Sequence, residues 1–115
     1  MSDNPTCEWE GASGQWYTYW VHPRHDSIKP GQMGNYIYAR REAERWVPVY
    51  IGEGDLSVRC SHAHHQRNCI DTKDATHVHM HTNPKDATRN AEESDLLAAF
   101  PEAYAPNGCN VKLGG

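Results

Sequence analysis

Three sets of side chains in this 115-residue sequence have the types and spacing to do chemistry. The first centres on Glu93. Leu96, Leu97 and Phe100 follow it at i+3, i+4 and i+7, which places a carboxylate on the apolar stripe of a helix. A buried carboxylate is costly unless a cation, a metal or several hydrogen bonds hold it. Glu92 shares the face of Leu96 and Ala99 less fully and is the alternative. The plainer reading is that Glu93 sits at the edge of the stripe and reaches water.

The second set is aromatic. Tyr36 and Tyr38 lie on one strand of an expected hairpin and Tyr50 on the other. Arg59 follows Tyr50 by nine positions, early in a helix that starts just after the strand. A strand end followed by a helix start returns Arg59 toward the Tyr50 ring. Tyrosine is a poor base at neutral pH unless a cation stabilises the phenolate, and Arg59 could supply that charge. The competing reading makes all three tyrosines sheet packing.

The third set is the histidines. His77, His79 and His81 alternate, so they share one face of a strand and could together bind Zn²⁺ or Ni²⁺. Cys60, His62, His64, His65 and Cys69 add further donors. No Cys-x2-Cys pair is present, so the spacing matches no standard zinc pattern. The alternatives are a polar sheet face opposite Val78 and Met80, with Cys60 a small buried hydrophobe.

The elements that must position these residues follow from local signals. Residues 1–14 carry Pro5, Gly11 and Gly14 and read as an irregular arm. Trp16 to Val21 is aromatic and β-branched and reads as a strand. A Pro/Gly-rich loop over 22–34 leads to strands at 35–40 and 46–51, joined by a charged connection and ended by Gly52-Glu53-Gly54. Asp55 caps a helix whose face is Leu56, Cys60 and Ala63. Thr76 to His81 alternates as a fourth strand. Asn83-Pro84 starts a second helix, with Asn83 as its cap, that runs to Phe100 and stops at Pro101. The order predicts an α+β fold with a small, mostly antiparallel sheet flanked by helices. One domain over 15–110 and a loose tail over 111–115 are expected.

Composition narrows the function classes. The net charge is −4, so bulk charge does not mark a nucleic-acid binder, although a local groove built from Arg40, Arg41, Arg45, Arg59 and Arg67 is compatible with it. No run of apolar residues is long enough to cross a membrane, and the start carries no secretory signal. The four cysteines, 7, 60, 69 and 109, are therefore expected as reduced thiols in a cytoplasmic protein. Trp9, Trp16 and Trp20 could serve an interface with a protein partner or a second copy.

Tyr50-Ile51-Gly52 matches half of the signature of the GIY-YIG nuclease family, and Gly34-Asn35-Tyr36 stands where the other half belongs. Leu56-x-x-Arg59 is similar to that family's Leu and catalytic Arg. Glu93-Ser94-Asp95-Leu96-Leu97 is similar to its Glu-x-x-Leu-Ile, and Asn110 to its terminal Asn. Asn35 replaces an Ile, Tyr36 and Tyr50 stand 14 positions apart, and Asn107 competes with Asn110. The resemblance covers residues 34–110 and makes Trp16 to Val21 an added edge strand.

The resemblance implies a metal-dependent nuclease acting on nucleic acid, DNA ahead of RNA. Glu93 would hold one Mg²⁺ or Mn²⁺, which would polarise the phosphate. Tyr36 and Tyr50 would position and deprotonate water, and Arg59 would offset phosphoryl charge. Asn110 would orient a tyrosine or a backbone group. Arg40, Arg41, His62 and Arg67 would contact the nucleic acid. The alternatives are a His-rich metal binder, and a fold of this kind that binds nucleic acid without cutting it.

Overall fold

The aromatic hairpin forms one end of the sheet and carries its two longest strands. The computed structural model describes residues 5–61 and 63–111. Strands β3 (Met33–Glu42) and β4 (Arg45–Asp55) pair antiparallel along their full length. A two-residue turn, Ala43-Glu44, joins them with positive φ at both positions, 48° and 72°. That is the backbone a tight hairpin turn requires. The hairpin is longer than its sequence signal. Gly52, Glu53 and Gly54 do not end it but stay in the ladder opposite Tyr36, Asn35 and Gly34. Gly52 has a packing reason: the Tyr36 phenol lies across it, and a Cβ there would collide with Tyr36 Oη and Cζ.

Strands β1 (Thr6–Glu10), β2 (Trp16–Pro23) and β5 (His77–Thr82) complete a five-stranded antiparallel sheet of order β1-β2-β5-β3-β4. The expected α+β class therefore holds. Two expectations at the N-terminal side do not. The irregular arm over 1–14 contains β1, because Trp9 inserts into the core beneath the final helix. With β1 outside it, β2 is an inner strand rather than an edge.

Helices cover both faces. On one face Tyr36, Tyr38, Val78 and Met80 pack with Leu56, Cys60 and Ile70. These last three come from α1 (Leu56–Arg59), its C-cap and α2 (Arg67–Thr72). The Asp55 carboxylate accepts the Ser57 N–H at 3.0 Å, as a cap should. The helix is one turn long, so Ala63 lies outside it and is exposed.

On the other face Trp9, Tyr19, Ile37 and Ile51 meet Leu96 of α3 (Asp86–Ala99). The helix ends before Pro101 as expected but starts later than Asn83-Pro84 suggests. Asn83 is not a cap. Its amide donates to Asn35 Oδ1 at 3.0 Å and Glu92 Oε1 at 3.3 Å, and its oxygen accepts from Thr88 at 2.6 Å. The face of α3 turned to the sheet is Arg89, Glu92 and Leu96. The buried carboxylate is thus Glu92, and Glu93 is half-buried on the flank.

Cys69 and Cys109 form a disulfide, so only Cys7 and Cys60 are free thiols. Folding brings α2 and the C-terminal segment to a Cα–Cα distance of 5.8 Å, within bridging range. The expectation of four thiols is corrected accordingly. Among the described residues no helix is long and apolar enough to cross a membrane.

Candidate active site

β4 forms one border of the sheet, and the candidate site lies along its outer side. After α3 a short 3₁₀ turn (Pro101–Ala103) leads the chain back along that border. The Cys109 N–H donates to Val49 O at 2.8 Å. The Asn110 side chain then grips Ile51 twice. Its Oδ1 accepts the Ile51 N–H at 2.8 Å, and its Nδ2 donates to Ile51 O at 2.9 Å. One amide thereby satisfies both outward backbone groups of Ile51, the residue between Tyr50 and Gly52. Asn110 is 7% exposed, so these bonds are made away from water.

A cleft of about 560 Å³ opens here. Tyr50, His65, Gln66, Glu93, Leu97, Tyr104, Asn110 and Val111 line it. Tyr50 faces the cleft because the β3–β4 register shifts between Tyr38 and Ala39, a bulge that fixes which way the next residues point. The rings of Tyr36 and Tyr50 stack at 6.0 Å. Arg59 sits over Gly54, where a Cβ would come within 3.0 Å of its Nε. Its charge acts on Tyr36, Tyr50 and Glu93 alike.

The electrostatics are specific. Burial, then the negative Glu53, raise the Glu93 carboxyl above its ordinary range, and Arg59 pulls it partly back. Burial, then Glu93, raise the Tyr50 phenol; Arg59 and a hydrogen bond from Tyr36 lower it. Tyr36 is almost wholly enclosed, and burial drives its phenol far upward.

His64 completes the arrangement. It is 6% exposed, and its Nε2 lies 2.8 Å from Tyr36 Oη. The Gln66 N–H donates to His64 Nδ1 at 2.9 Å. A nitrogen that accepts carries no proton, so the neutral ring holds its proton on Nε2 and donates it to Tyr36. Burial, then the neighbouring His65, depress His64 to about 4, which keeps it neutral. The donors therefore run in one direction, from Gln66 through His64 and Tyr36 to Tyr50. Tyr50 is the end of the chain that faces the cleft. His65 Nε2 stands 3.5 Å from its hydroxyl.

The structure thus brings Tyr36, Tyr50, Arg59, Glu93 and Asn110 to one place. Asn107 lies elsewhere, in a groove with Arg40, Lys73 and Glu102. The expected arginine groove is not assembled. Arg40 pairs with Glu42, Arg45 with Glu102, and Arg67 with Asp71, while Arg41 stacks on Trp46 at 4.8 Å. Each guanidinium follows its nearest local partner instead of a common line. His62 lies outside the described residues. His64 and His65 stand in the sequence as possible metal donors, but nothing local there pairs them with the tyrosines, since only tertiary folding seats them against Tyr36 and Tyr50.

His77, His79 and His81 do share a face, but side chains from three elements occupy it: Trp9 of β1, Trp46 of β4 and Glu92 of α3. His77 Nδ1 contacts Thr76 Oγ1 at 2.8 Å. His81 Nε2 meets the buried Glu92 at 2.6 Å, beside the Tyr19 hydroxyl, which donates to the same oxygen at 2.5 Å. His79 Nδ1 accepts the Trp9 indole N–H at 3.0 Å, its Nε2 is buried with no hydrogen-bond partner, and its ring packs edge-to-face with Trp46 at 4.5 Å and 88°. Among the described residues no group of three or more His, Cys, Asp or Glu could hold a metal ion. Trp9 is buried, whereas Trp16 and Trp20 are 58% and 50% exposed.

Compared with protein-family models, curated proteins and solved structures, the chain matches none.

Proposed function

We propose that the protein is a metal-dependent nuclease that hydrolyses phosphodiester bonds in nucleic acid, DNA ahead of RNA. The observation that carries this reading is the convergence of Tyr50, Glu93 and Asn110 on one open cleft under the charge of Arg59. These residues come from four separate stretches of chain, and hydrophobic packing alone does not call for that combination. The resemblance to the GIY-YIG family adds the reaction class.

The donor set fits Mg²⁺ or Mn²⁺ and not a closed zinc site. Mg²⁺ takes one or two carboxylates and fills its remaining positions with water and phosphate oxygens. Glu93 is a single half-buried carboxylate on a cleft, and its raised pKa marks an anion short of positive partners. Glu93 would hold the cation, which when bound would polarise the phosphate and offset charge on the leaving oxygen.

The other roles belong to the chain. Tyr50 takes the proton of the attacking water: burial and Glu93 raise its phenol overall, and Arg59 together with the donor chain from His64 through Tyr36 offsets part of that rise on the phenolate oxygen. Tyr36 is too enclosed to reach substrate and positions Tyr50. Arg59 offsets charge that grows on the phosphoryl group. Asn110 fixes the Ile51 backbone and with it the two flanking residues. With Arg40 and Arg41 engaged elsewhere, Arg59 supplies the main positive charge of the cleft, and weak, salt-sensitive affinity for plain duplex follows.

The reading keeps the cytoplasm as the compartment, where a disulfide is typically transient and redox-sensing. The experiment is a cleavage assay on plasmid, linear, branched and flapped DNA and on RNA, with Mg²⁺, Mn²⁺ or EDTA. Metal-dependent cutting that Glu93→Ala and Tyr50→Phe both lose supports the reading, with Tyr50→Phe still binding DNA. No cutting of any substrate refutes it.

A further inference from the structure

We infer that the Cys69–Cys109 disulfide is a redox latch on the candidate site, closed when oxidised and opened by a dithiol. The regulatory half of this inference rests on the nuclease reading; the latch itself does not. Cys109 immediately precedes Asn110, the residue that grips Ile51. Cys69 lies on α2, directly after the segment that carries His64, His65 and Gln66. The cleft has one wall from each piece: His65 and Gln66 on one side, Tyr104, Asn110 and Val111 on the other. The bridge is the covalent tie between those walls, across 40 positions of sequence. The cleft's other lining residues sit on β4 and α3, which the sheet and core hold in place without it.

The two sulfurs differ in access. Cys109 is 2% exposed, whereas Cys69 is partly open. A reductant thiolate attacks Cys69 Sγ, forming a mixed disulfide and releasing Cys109 as a thiolate that takes up a proton. The reductant's second thiol then attacks its own sulfur in the mixed disulfide. Cys69 leaves as a thiol, and the reductant departs as a cyclic disulfide. Two electrons and two protons pass to the protein. Without the bridge the tail is held on β4 by the Cys109 N–H to Val49 O and the Asn110 pair with Ile51, and on its own turn and the C-cap of α2 by Asn110 N–H to Ala103 O, Ala105 N–H to Asn110 O and Lys73 Nζ to Pro106 O.

Amide hydrogen exchange on the full chain, oxidised and then treated with dithiothreitol, reads the latch without any substrate. On reduction the Ile51 and Cys109 amides should exchange roughly tenfold faster, while Ile37 in the inner strand β3 stays protected. Reoxidation should restore the slow rates. The Cys69→Ser/Cys109→Ser variant should sit in the fast state and ignore the dithiol. Unchanged exchange at Ile51 after complete reduction overturns the latch. Parallel loss at Ile37 overturns it too, because the bridge is then a staple of the whole fold. Cleavage rates in the two redox states decide regulation: a slower reduced form supports it, and equal rates overturn it. If exchange responds but neither form cuts, the latch stands and the nuclease reading fails.

Discussion

Replacing Asn110 by Ala removes one side-chain amide and leaves two backbone groups of Ile51 without partners. Both bonds are short, 2.8 and 2.9 Å, and both are buried. A buried polar group stripped of its partner costs about 1–3 kcal/mol. Two such groups set the loss at about 2–6 kcal/mol, or roughly 8–24 °C in melting temperature for a chain of this size. Asn110→Asp sharpens the test. Its carboxylate still accepts the Ile51 N–H but turns a second oxygen toward the Ile51 carbonyl. It should be at least as destabilising as Ala at neutral pH and recover relative to Ala in acid, once protonation restores a donor. Asn107→Ala is the control, since Asn107 is exposed and outside the cleft. Denaturant unfolding of the four proteins measures all of this. If Asn110→Ala falls within about 0.5 kcal/mol of wild type, the ordinary range for a surface change, the argument from Ile51 is wrong.

Three further outcomes follow from the same geometry. Gly52→Ala drives a methyl group into the Tyr36 phenol; it should cost about 1–3 kcal/mol in thermal unfolding and lower cleavage more than binding. Glu92→Ala strands the Tyr19 hydroxyl and His81 and should cost about 2–4 kcal/mol, whereas Glu93→Ala should leave the melting temperature unchanged or raise it, because it removes an under-paired carboxylate. Acid should destabilise the fold through His79 and His64, held at about 3 and about 4 by burial. Both bind their proton more weakly folded than unfolded, so their contribution is complete above roughly pH 6.5 and is lost as pH falls toward those values. By pH 4 the loss is on the order of 3 kcal/mol for each, and a flat melting temperature from pH 7 to pH 4 would contradict it.

Local signals carried part of this structure. Alternation placed β5, the aromatic run placed β2, and Asp55 and Pro101 marked a helix start and a helix stop. Each of those is settled within a few residues of chain. What the sequence hid depends on contacts between distant segments. β1 is polar apart from Cys7 and Trp9, and only burial of Trp9 under α3 pins it. The Ala43-Glu44 turn carries none of the Asn or Gly residues that announce positive φ. Glu92 and Glu93 are one position apart, a rotation of roughly 100° on a helix. On α3 the apolar pattern was too sparse to set the phase, because Arg89 and Glu92 share the inward face with Leu96. Asn83 looked like a cap because its competing partners, Asn35 and Glu92, are brought to it by the fold. The same holds for the disulfide and for His64.

The candidate site was expected from a resemblance that supplied the order of its residues, and the fold sets Tyr50, Glu93 and Asn110 on one cleft with Tyr36 and Arg59 beside them. Its inner support was not legible, because no spacing rule links His64 to Tyr36 across 28 positions.

The central claim is that Tyr50 and Glu93 act together on a phosphodiester. The most direct measurement is the single-turnover cleavage rate on the best DNA substrate with Mg²⁺, from pH 6 to pH 9, for wild type, Tyr50→Phe and Glu93→Ala. With a phenolate as base the wild-type rate should rise about tenfold per pH unit, and both variants should lose cutting while Tyr50→Phe still binds the DNA. A wild-type rate that does not change with pH, or a Tyr50→Phe variant that cuts as fast as wild type, would contradict the account.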